Sequence, residues 1–406
     1  MAEMKDSGIE WIGEIPEEWK LEQGKHLYKI DTGKLDANAE DDDGKYPFFT
    51  CSMYPKKINT FAFDCEALLV AGNGIVGFTQ YYNGKFNAYQ RTYVLSNFNK
   101  INPLFLKYYV ANIFPKEANF NSVGSVIDFI KYGDLANFKI CIPPFKEQKL
   151  IAEFLDKKCA EIDALHTDIE KQIETLEEYK KSIITEAVTR GLDPDVEMKD
   201  SGSVYWKDIP ANWKLSDIKY LFEIVKRIAR KEGYDILSVT QKGLKIKDIS
   251  RNEGQIAESY ANYQFVYPTD FVMNHMDLLT GWVDCSKYFG VTSPDYRVFR
   301  LKDKRNSLNY YKYIMQCCYM DRIFYSLGQG VSNLGRWRLQ TESFNNFQIP
   351  VPPAKDQEQI AKYLDEKCIE IENIILDKQQ QLETLEQYKK SLIYEYVTGK
   401  KEVSNE

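Results

Sequence analysis

The sequence has few of the residues on which metal and acid–base chemistry depend. It contains three histidines, His26, His166 and His275, and no two of them are spaced as metal ligands. Its eight cysteines include no C-x-x-C pair, and the N-terminus has acids where a secretory leader needs an apolar core, so neither a zinc site nor a disulfide framework is predicted. No apolar run approaches the roughly 18 residues of a membrane span. These absences favour a soluble, cytoplasmic protein that is not a histidine-dependent enzyme.

The composition is that of folded domains. The chain has 406 residues, 44% of them hydrophobic and 28% charged, which excludes a disordered or collagen-like protein. The length predicts two or three domains. The net charge of -7 argues at first sight against a nucleic-acid partner.

One framework occurs twice in the chain. Residues 142–191 and 351–400 match at about half of their positions without a gap, and residues 4–21 resemble residues 198–215. The stretches between these shared segments look little alike, so we predict two copies of one unit whose working surfaces differ. The predicted segments are a first variable domain (1–145), a helix (146–192), a second variable domain (193–353), a second helix (354–400) and a tail (401–406).

The repeated segments have the spacing of coiled-coil helices. Apolar residues seven apart form one row of a seam in the first copy, Leu155, Ile162, Ile169, Leu176 and Ile183. The second copy repeats the row with Leu364, Ile371, Leu385 and Leu392, interrupted by Lys378. The second row is predicted at Leu165 and Tyr179 and at Ile374 and Tyr388. Paired prolines begin each helix. The simplest partner of each seam is the other copy, which predicts two antiparallel helices about 65 Å long.

The variable stretches have mixed strand and helix patterns. In the first, residues 66–70, 77–82 and 90–96 read as strands of hairpins and residues 103–114 as a helix. In the second, residues 266–275 and 293–301 read as strands and residues 309–327 as one helix. The predicted fold class is therefore α/β (α+β) for two variable domains, separated by two long antiparallel coiled-coil helices in a pseudo-twofold repeat.

Three motif matches carry no catalytic chemistry. The stretch from Gly72 to Gly77 fits G-x-G-x-x-G, but a strand and not a helix follows it, so we read a tight hairpin. The Pro143-Pro144-Phe145 run fits part of the (N/D)PP(Y/F) signature of amino-group DNA methyltransferases, with Ile142 in place of the amide or carboxylate. The letters of a PD…ExK nuclease fall together at residues 194–199, whereas such carboxylates normally converge on Mg²⁺ from separate strands.

The acidity is uneven along the chain. Residues 146–197 and 354–406 together hold 26 acidic and 16 basic side chains, whereas residues 198–353 hold 16 acidic and 22 basic ones. Basic groups can hold DNA phosphates, and Asn, Gln and Arg can read base edges. A solvated basic face is the alternative for each. The second domain has its early basic residues at Lys226, Arg227, Arg230, Lys231, Lys242, Lys245, Lys247 and Arg251.

The repeats together resemble one protein family. The duplicated KDSG…W..IP..W entry, the Pro-Pro boundary, the Q-x-x-I-A-x-x-L-D helix start and the TLEEYKKSII and TLEQYKKSLI runs resemble the specificity subunit of type I restriction-modification systems. The resemblance implies that each variable domain recognises one half of a split double-stranded DNA target. It further implies that the helices set the unread spacer and dock modification (methyltransferase) subunits, with restriction (translocase/nuclease) subunits as further partners.

The resemblance also implies that the chain is not itself an enzyme and holds no cofactor. S-adenosylmethionine, ATP and Mg²⁺ would belong to the partner subunits. Candidate DNA contacts are Lys56, Lys57, Asn73, Gln80, Gln90 and Arg91 in the first domain and Asn274, Lys287, Ser293, Tyr296, Arg297, Asn333, Arg336 and Arg338 in the second. Two alternatives stay open: a coiled-coil scaffold that never touches DNA, and the recognition module of a self-sufficient restriction enzyme.

Overall fold

The computed structural model describes residues 3–75, 77–121, 129–248, 257–330 and 337–403, and for 118–121 only the backbone. The chain divides into two compact units. Unit 1 comprises residues 1–170 and 379–406, and unit 2 comprises residues 171–378. Each unit thus contains one variable domain and a part of each long helix.

Unit 1 contains ten strands and three helices within the described residues, besides its parts of the long helices. The strands are β1 (Met4–Asp6), β2 (Glu14–Pro16), β3 (Lys20–Gln23), β4 (Lys29–Thr32), β5 (Tyr46–Phe49), β6 (Lys56–Ile58), β7 (Phe63–Ala71), β8 (Thr79–Ala88), β9 (Thr92–Ser96) and β10 (Lys139–Ile142). The helices are α1 (Gly24–Leu27), α2 (Pro103–Asn121) and α3 (Tyr132–Asn137).

The main sheet of unit 1 has the strand order β4-β9-β7-β8-β5-β6. Its central strand β7 is buried on both faces, because Leu68 and Val70 pack into the core beneath α2 while Ala67 and Leu69 pack into a second core. A strand covered on both sides needs a continuous apolar run, which residues 67–71 provide. The pairing of β7 with β8 confirms the predicted hairpin at Gly72 to Gly77.

Unit 2 repeats this plan with shorter strands. They are β11 (Met198–Asp200), β12 (Asp208–Pro210), β13 (Lys214–Asp217), β14 (Phe222–Val225), β15 (Leu237–Thr240), β16 (Gly243–Ile246), β17 (Gln264–Val266), β18 (Phe271–Met273), β19 (Val283–Cys285), β20 (Gly290–Thr292), β21 (Arg297–Leu301) and β22 (Gln348–Val351). The helices are α5 (Ile218–Leu221), α6 (Leu308–Met320), α7 (Ile323–Ser326) and α8 (Thr341–Asn346).

A four-stranded sheet of unit 2 has the order β14-β21-β18-β19, which is the order β4-β9-β7-β8 of unit 1. The central strand again faces two cores, with Phe271 and Met273 on one side and Val272 on the other. The two variable stretches look little alike in sequence, yet they share this framework. Similar folds can form from dissimilar residues because a buried strand requires apolar side chains of suitable size and not particular ones.

The two long helices are α4 (Phe145–Arg190) and α9 (Ala354–Val397). A buried glutamine near the start of each helix bonds to the segments around it. Gln148 donates from Nε2 to the Pro143 carbonyl at 2.9 Å and accepts from the Asn102 backbone N–H. Gln357 makes the same two contacts, with Pro352 at 3.0 Å and with Ser307. Both side chains are about 1% exposed, so these bonds satisfy polar groups that would otherwise be buried unpaired.

The two long helices pair in antiparallel fashion within each unit. In unit 1, Lys389 donates to Asp163 at 2.6 Å, and His166 Nε2 lies 3.9 Å from Glu386 Oε1. In unit 2, Lys180 contacts Glu372 at 2.5 Å, and Lys378 contacts Gln172. As the residue number rises along α4, the number of its partner in α9 falls, which confirms the predicted antiparallel arrangement of the two helices.

One row of the seam lies as predicted, and the other does not. The first row is buried at Leu155, Ile162, Ile183, Leu364, Ile371 and Leu392 and half-buried at Ile169, Leu176 and Leu385. The predicted second row is wrong: Leu165, Tyr179, Ile374 and Tyr388 are all exposed. The positions four residues after the first row are covered instead, including Cys159, Ile173, Ala187 and Cys368. The positions three and four residues after each first-row residue both lie beside that row on the helix surface. The side from which the partner helix approaches decides which of the two sets is buried.

Two further predictions of elements need correction. The helix predicted over residues 309–327 is broken between α6 and α7, where Arg322 adopts a left-handed φ of 55°. The strand predicted over residues 266–275 is split between β17 and β18. No described helix is long and apolar enough to cross a membrane.

Candidate nucleic-acid interface

Four segments of unit 1 meet where β7 ends and β8 begins. We call residues 51–54, 72–75, 90–91 and 129–132 loop edge 1. The Gly72 N–H donates to the Arg91 carbonyl at 2.8 Å, and the Ile130 N–H donates to the Gly72 carbonyl at 2.9 Å. Gln80 Nε2 donates to the carbonyls of Ser52 and Met53 at 2.9 and 3.0 Å. These bonds hold segments that are distant in sequence in one continuous surface.

Loop edge 1 presents apolar and cationic side chains to solvent together. Exposed apolar residues stand on three of its four segments, Met53, Tyr54, Ile75, Phe129 and Tyr132. The cations Arg91 and Lys131 are exposed beside them, and Lys131 Nζ lies 5.9 Å from the centre of the Phe129 ring. Exposed cations can bind nucleic-acid phosphates, and exposed aromatic rings can pack against bases.

The predicted contact residues of unit 1 fall into two groups. Asn73, Gln80, Gln90 and Arg91 lie at or against loop edge 1. Lys56 and Lys57 begin β6, and Lys56 forms an ion pair with Glu40 while the Lys57 carbonyl accepts from the Asp41 N–H. The acidic loop at residues 40–43 therefore lies beside these two lysines.

A corresponding surface exists in unit 2. We call residues 274–282, 328–330 and 337–338 loop edge 2. The Leu339 N–H donates to the His275 carbonyl at 3.0 Å, and Gln329 and Arg338 exchange two backbone hydrogen bonds. The Asn274 carbonyl accepts from the Tyr319 hydroxyl at 2.8 Å. Arg338, Gln329 and Leu279 are exposed on this edge.

The predicted contact residues of unit 2 are more scattered. Asn274 and Arg338 lie on loop edge 2, and Lys287 is exposed in the turn after β19. Ser293 and Tyr296 are half-buried, and both of their carbonyls accept from Gln264 Nε2. Asn333 and Arg336 lie outside the described residues, as does Arg251 of the early basic cluster.

Arg297 is buried and does not present its charge to solvent. Its Nη2 donates to the Leu339 carbonyl at 3.0 Å, and its guanidinium lies 4.5 Å from the centre of the Phe344 ring. This arrangement supports the segment that carries Arg338, so we omit Arg297 from the proposed contacts. Burial, together with Arg297 and Arg338, lowers the pKa of His275 to about 4, so this histidine is neutral near pH 7.

Sequence reasoning missed several residues of these surfaces. The predicted contacts did not include Ile75, Phe129, Lys131 and Tyr132 of unit 1 or Leu279 and Gln329 of unit 2. Ile75 and Leu279 each stand in a loop between two strands, and an apolar residue in such a loop was the available signal. Among the described residues, no cluster of three His, Cys, Asp or Glu side chains could hold a metal ion.

The sequence matches one family model in two places. The model describes the type I restriction modification DNA specificity domain, and it matches residues 16–175 and 210–386, most of the chain. The chain belongs to this family. The membership confirms the expected relation to the specificity subunits of type I restriction-modification systems.

Relatives support the same assignment. The chain is 33% identical over 235 residues to the type I restriction enzyme EcoDI specificity subunit of Escherichia coli. That alignment covers 53% of this chain and 51% of the relative, so it spans about half of the relative's length. Over 435 residues the chain is 23% identical to the putative type I restriction enzyme MjaX specificity subunit of Methanocaldococcus jannaschii, covering 96% of this chain and 95% of the relative.

Solved structures share the fold. A chain from a structure described as the basis of complex assembly and conformational transition of the type I R-M system aligns with a TM-score of 0.70 at 11% identity, covering 95% of this chain and 99% of that one. An HsdS subunit from Thermoanaerobacter tengcongensis aligns with a TM-score of 0.50 at 12% identity, covering 95% and 98%. These matches confirm the predicted class of mixed domains with two long helices.

Proposed function

We propose that this chain recognises a bipartite DNA sequence, with one variable domain on each half-site. Residues 1–145 would bind one half through loop edge 1, and residues 193–353 would bind the other through loop edge 2. The observation that carries the proposal is the shared four-strand order of the two units beneath loops of different sequence. A common framework with different loops is suited to reading two different short sequences.

The proposed contacts divide by chemistry. Arg91, Lys131 and Arg338 are exposed and would bind phosphates, which positions the duplex. Asn73, Gln90 and Asn274 can form the paired hydrogen bonds that discriminate bases, each worth about 1–3 kcal/mol when bidentate. Lys56, Lys57 and Lys287 would contribute further phosphate contacts.

We further propose that the long helices set the spacer and dock modification subunits. Leu165 and Tyr388 are exposed in unit 1, and Tyr179 and Ile374 are exposed at the repeated positions in unit 2. A repeated surface would accept two copies of one partner. Because the helices are acidic, its binding face should be basic around an apolar centre. S-adenosylmethionine, ATP and Mg²⁺ would act on the partner subunits, in the cytoplasm.

Methylation mapping tests the proposed function. Cells that express this chain with its modification subunits should show methylation at one split motif across the genome. Exchanging residues 216–350 for those of another family member should change one half of that motif and leave the other unchanged. Methylation that does not depend on this chain would contradict the proposal.

A further inference from the structure

The loop between β7 and β8 in unit 1 corresponds to the loop between β18 and β19 in unit 2. The strands occupy the same places in the shared four-strand order. Both loops also receive a backbone hydrogen bond from the residue two positions before a short helix, Ile130 before α3 and Leu339 before α8. The two loops are thus equivalent parts of the framework.

Among the described residues of each loop, one large aliphatic side chain is exposed to solvent. Ile75 is 67% exposed in the first loop, and Leu279 is 58% exposed in the second. Other large apolar side chains are as exposed, among them Val204 and Ile369, so exposure alone indicates nothing. Ile75 and Leu279 differ in that they stand in equivalent loops of two units of different sequence. A single exposed residue needs no explanation, but the repetition favours a shared role.

Backbone and side-chain bonds order both loops. In unit 1, the Phe78 N–H donates to the Ile75 carbonyl at 3.1 Å, and Asn73 forms a β-bridge with Phe129. In unit 2, Asp277 Oδ1 accepts from the Leu279 and Thr280 N–H groups, each at 3.0 Å. These bonds reduce the entropy lost when the side chain is buried against a partner.

Cations accompany both side chains. The Gly72 N–H donates to the Arg91 carbonyl, and Lys131 follows Ile130, whose N–H donates to the Gly72 carbonyl. In unit 2, Arg338 precedes Leu339, whose N–H donates to the His275 carbonyl. The Asp277 carboxylate on the second loop is occupied by donors from its own turn. An apolar centre with a cationic border matches the base pairs and flanking phosphates of a DNA groove.

We propose that Ile75 and Leu279 are equivalent base-contacting residues, each packing against base pairs of its own half-site. The proposal rests on the proposed function and deepens it, because it assigns part of the specificity to apolar contact. Removing either side chain should affect only one half of the recognised sequence.

The test uses the full chain assembled with its modification subunits. The variants are Ile75→Ser and Leu279→Ser, with Ile75→Leu and Leu279→Ile as conservative variants. Val204→Ser is the matched control, because Val204 is 83% exposed and lies on neither loop edge. Because all three positions are exposed, the substitutions should leave the midpoint of thermal unfolding nearly unchanged.

Two measurements are made on each complex. Methylation mapping should show that Ile75→Ser relaxes positions in one half of the motif and that Leu279→Ser relaxes the other half. On a synthetic duplex that carries the wild-type motif, each serine variant should bind about tenfold more weakly, or about 1.4 kcal/mol. The dependence of log Kd on log salt should not change, since no phosphate contact is lost. The conservative variants and Val204→Ser should behave as wild type.

The outcomes separate the two proposals. If the wild-type chain directs no split motif, the proposed function fails, and this inference fails with it. If the wild type directs a motif and both serine variants keep its sequence and Kd, only this inference is overturned. It is also overturned if the serine variants lose modification subunits while their DNA sequence preference is unchanged, because the loops would then contact protein.

Discussion

Tyr313 donates a hydrogen bond of 2.7 Å to Asp365, joining α6 of the second variable domain to the long helix α9. The same contact occurs in unit 1, where Tyr108 donates to Asp156 at 2.5 Å. Lys312 and Lys107 approach the two carboxylates at 3.4 and 3.8 Å. Burial, with the bond to the carboxylate, raises the pKa of both phenols, so each tyrosine stays protonated as the donor.

Tyr313→Phe should destabilise unit 2 by about 1–2 kcal/mol, because it removes a hydrogen bond to a charged acceptor. Chemical denaturation of the full chain, followed by hydrogen exchange, measures the loss and locates it. Tyr108→Phe is the matched variant and should loosen unit 1 instead. Equal loss of protection in both units from either variant would contradict this assignment.

Arg91→Ala and Arg338→Ala should weaken DNA binding and reduce the slope of log Kd against log salt by about one each, as expected for one lost phosphate contact. Titration of a duplex carrying the methylated motif at several salt concentrations measures both effects. Arg305→Ala is a suitable control, because Arg305 is exposed but paired with Asp303. An unchanged slope for Arg338→Ala would remove this residue from the phosphate contacts.

Lengthening both long helices should lengthen the unread spacer. One heptad inserted after Ile169 in α4 and one after Leu382 in α9 keep the seam in register and add about 10 Å, close to three base pairs. Methylation mapping should show that both halves of the motif are unchanged and that the spacer between them is about three base pairs longer. A motif with its original spacer would show that the helices do not set the distance.

Glu117→Gln should stabilise unit 1 at alkaline pH. Burial raises the pKa of this carboxyl to about 7, against a partial opposing effect of Lys139. The folded state therefore binds more protons than the unfolded state between about pH 4.5 and 7, and stability falls as pH rises through that window. With allowance for partial exposure, we expect the substitution to increase the free energy of unfolding by about 1–2 kcal/mol at pH 8 and by almost nothing at pH 4. Denaturation at both values measures it, and an equal gain at the two would exclude a titration effect.

The long helices were the most predictable part of the fold. Their apolar residues recur at a helical period, and paired prolines and a glycine mark their ends, so local physics defines α4 and α9. The second row of the seam was harder to predict from the sequence. Leu165 and Tyr179 fit it as well as Cys159 and Ile173 do, and only the position of the partner helix distinguishes the two sets.

The proposed DNA-binding surfaces were only partly predictable from the sequence. Asn73, Gln90, Arg91 and Arg338 have side chains suited to DNA and lie on the loop edges, whereas Arg297 has the same chemistry but is buried. Charge and hydrogen-bonding capacity can be read from residue type. Exposure depends on which strands pair, and those pairings join residues far apart in the chain.

The sequence by itself determined the duplication, the two long helices and the family, because repeats, helical periodicity and motif spacing are properties of neighbouring residues. The tertiary structure alone decided that two dissimilar variable stretches share one strand order, and that Ile75 and Leu279 occupy equivalent loops. The physical reason is that many apolar sequences can fill the same sheet, so their common framework appears only in the pairing of strands.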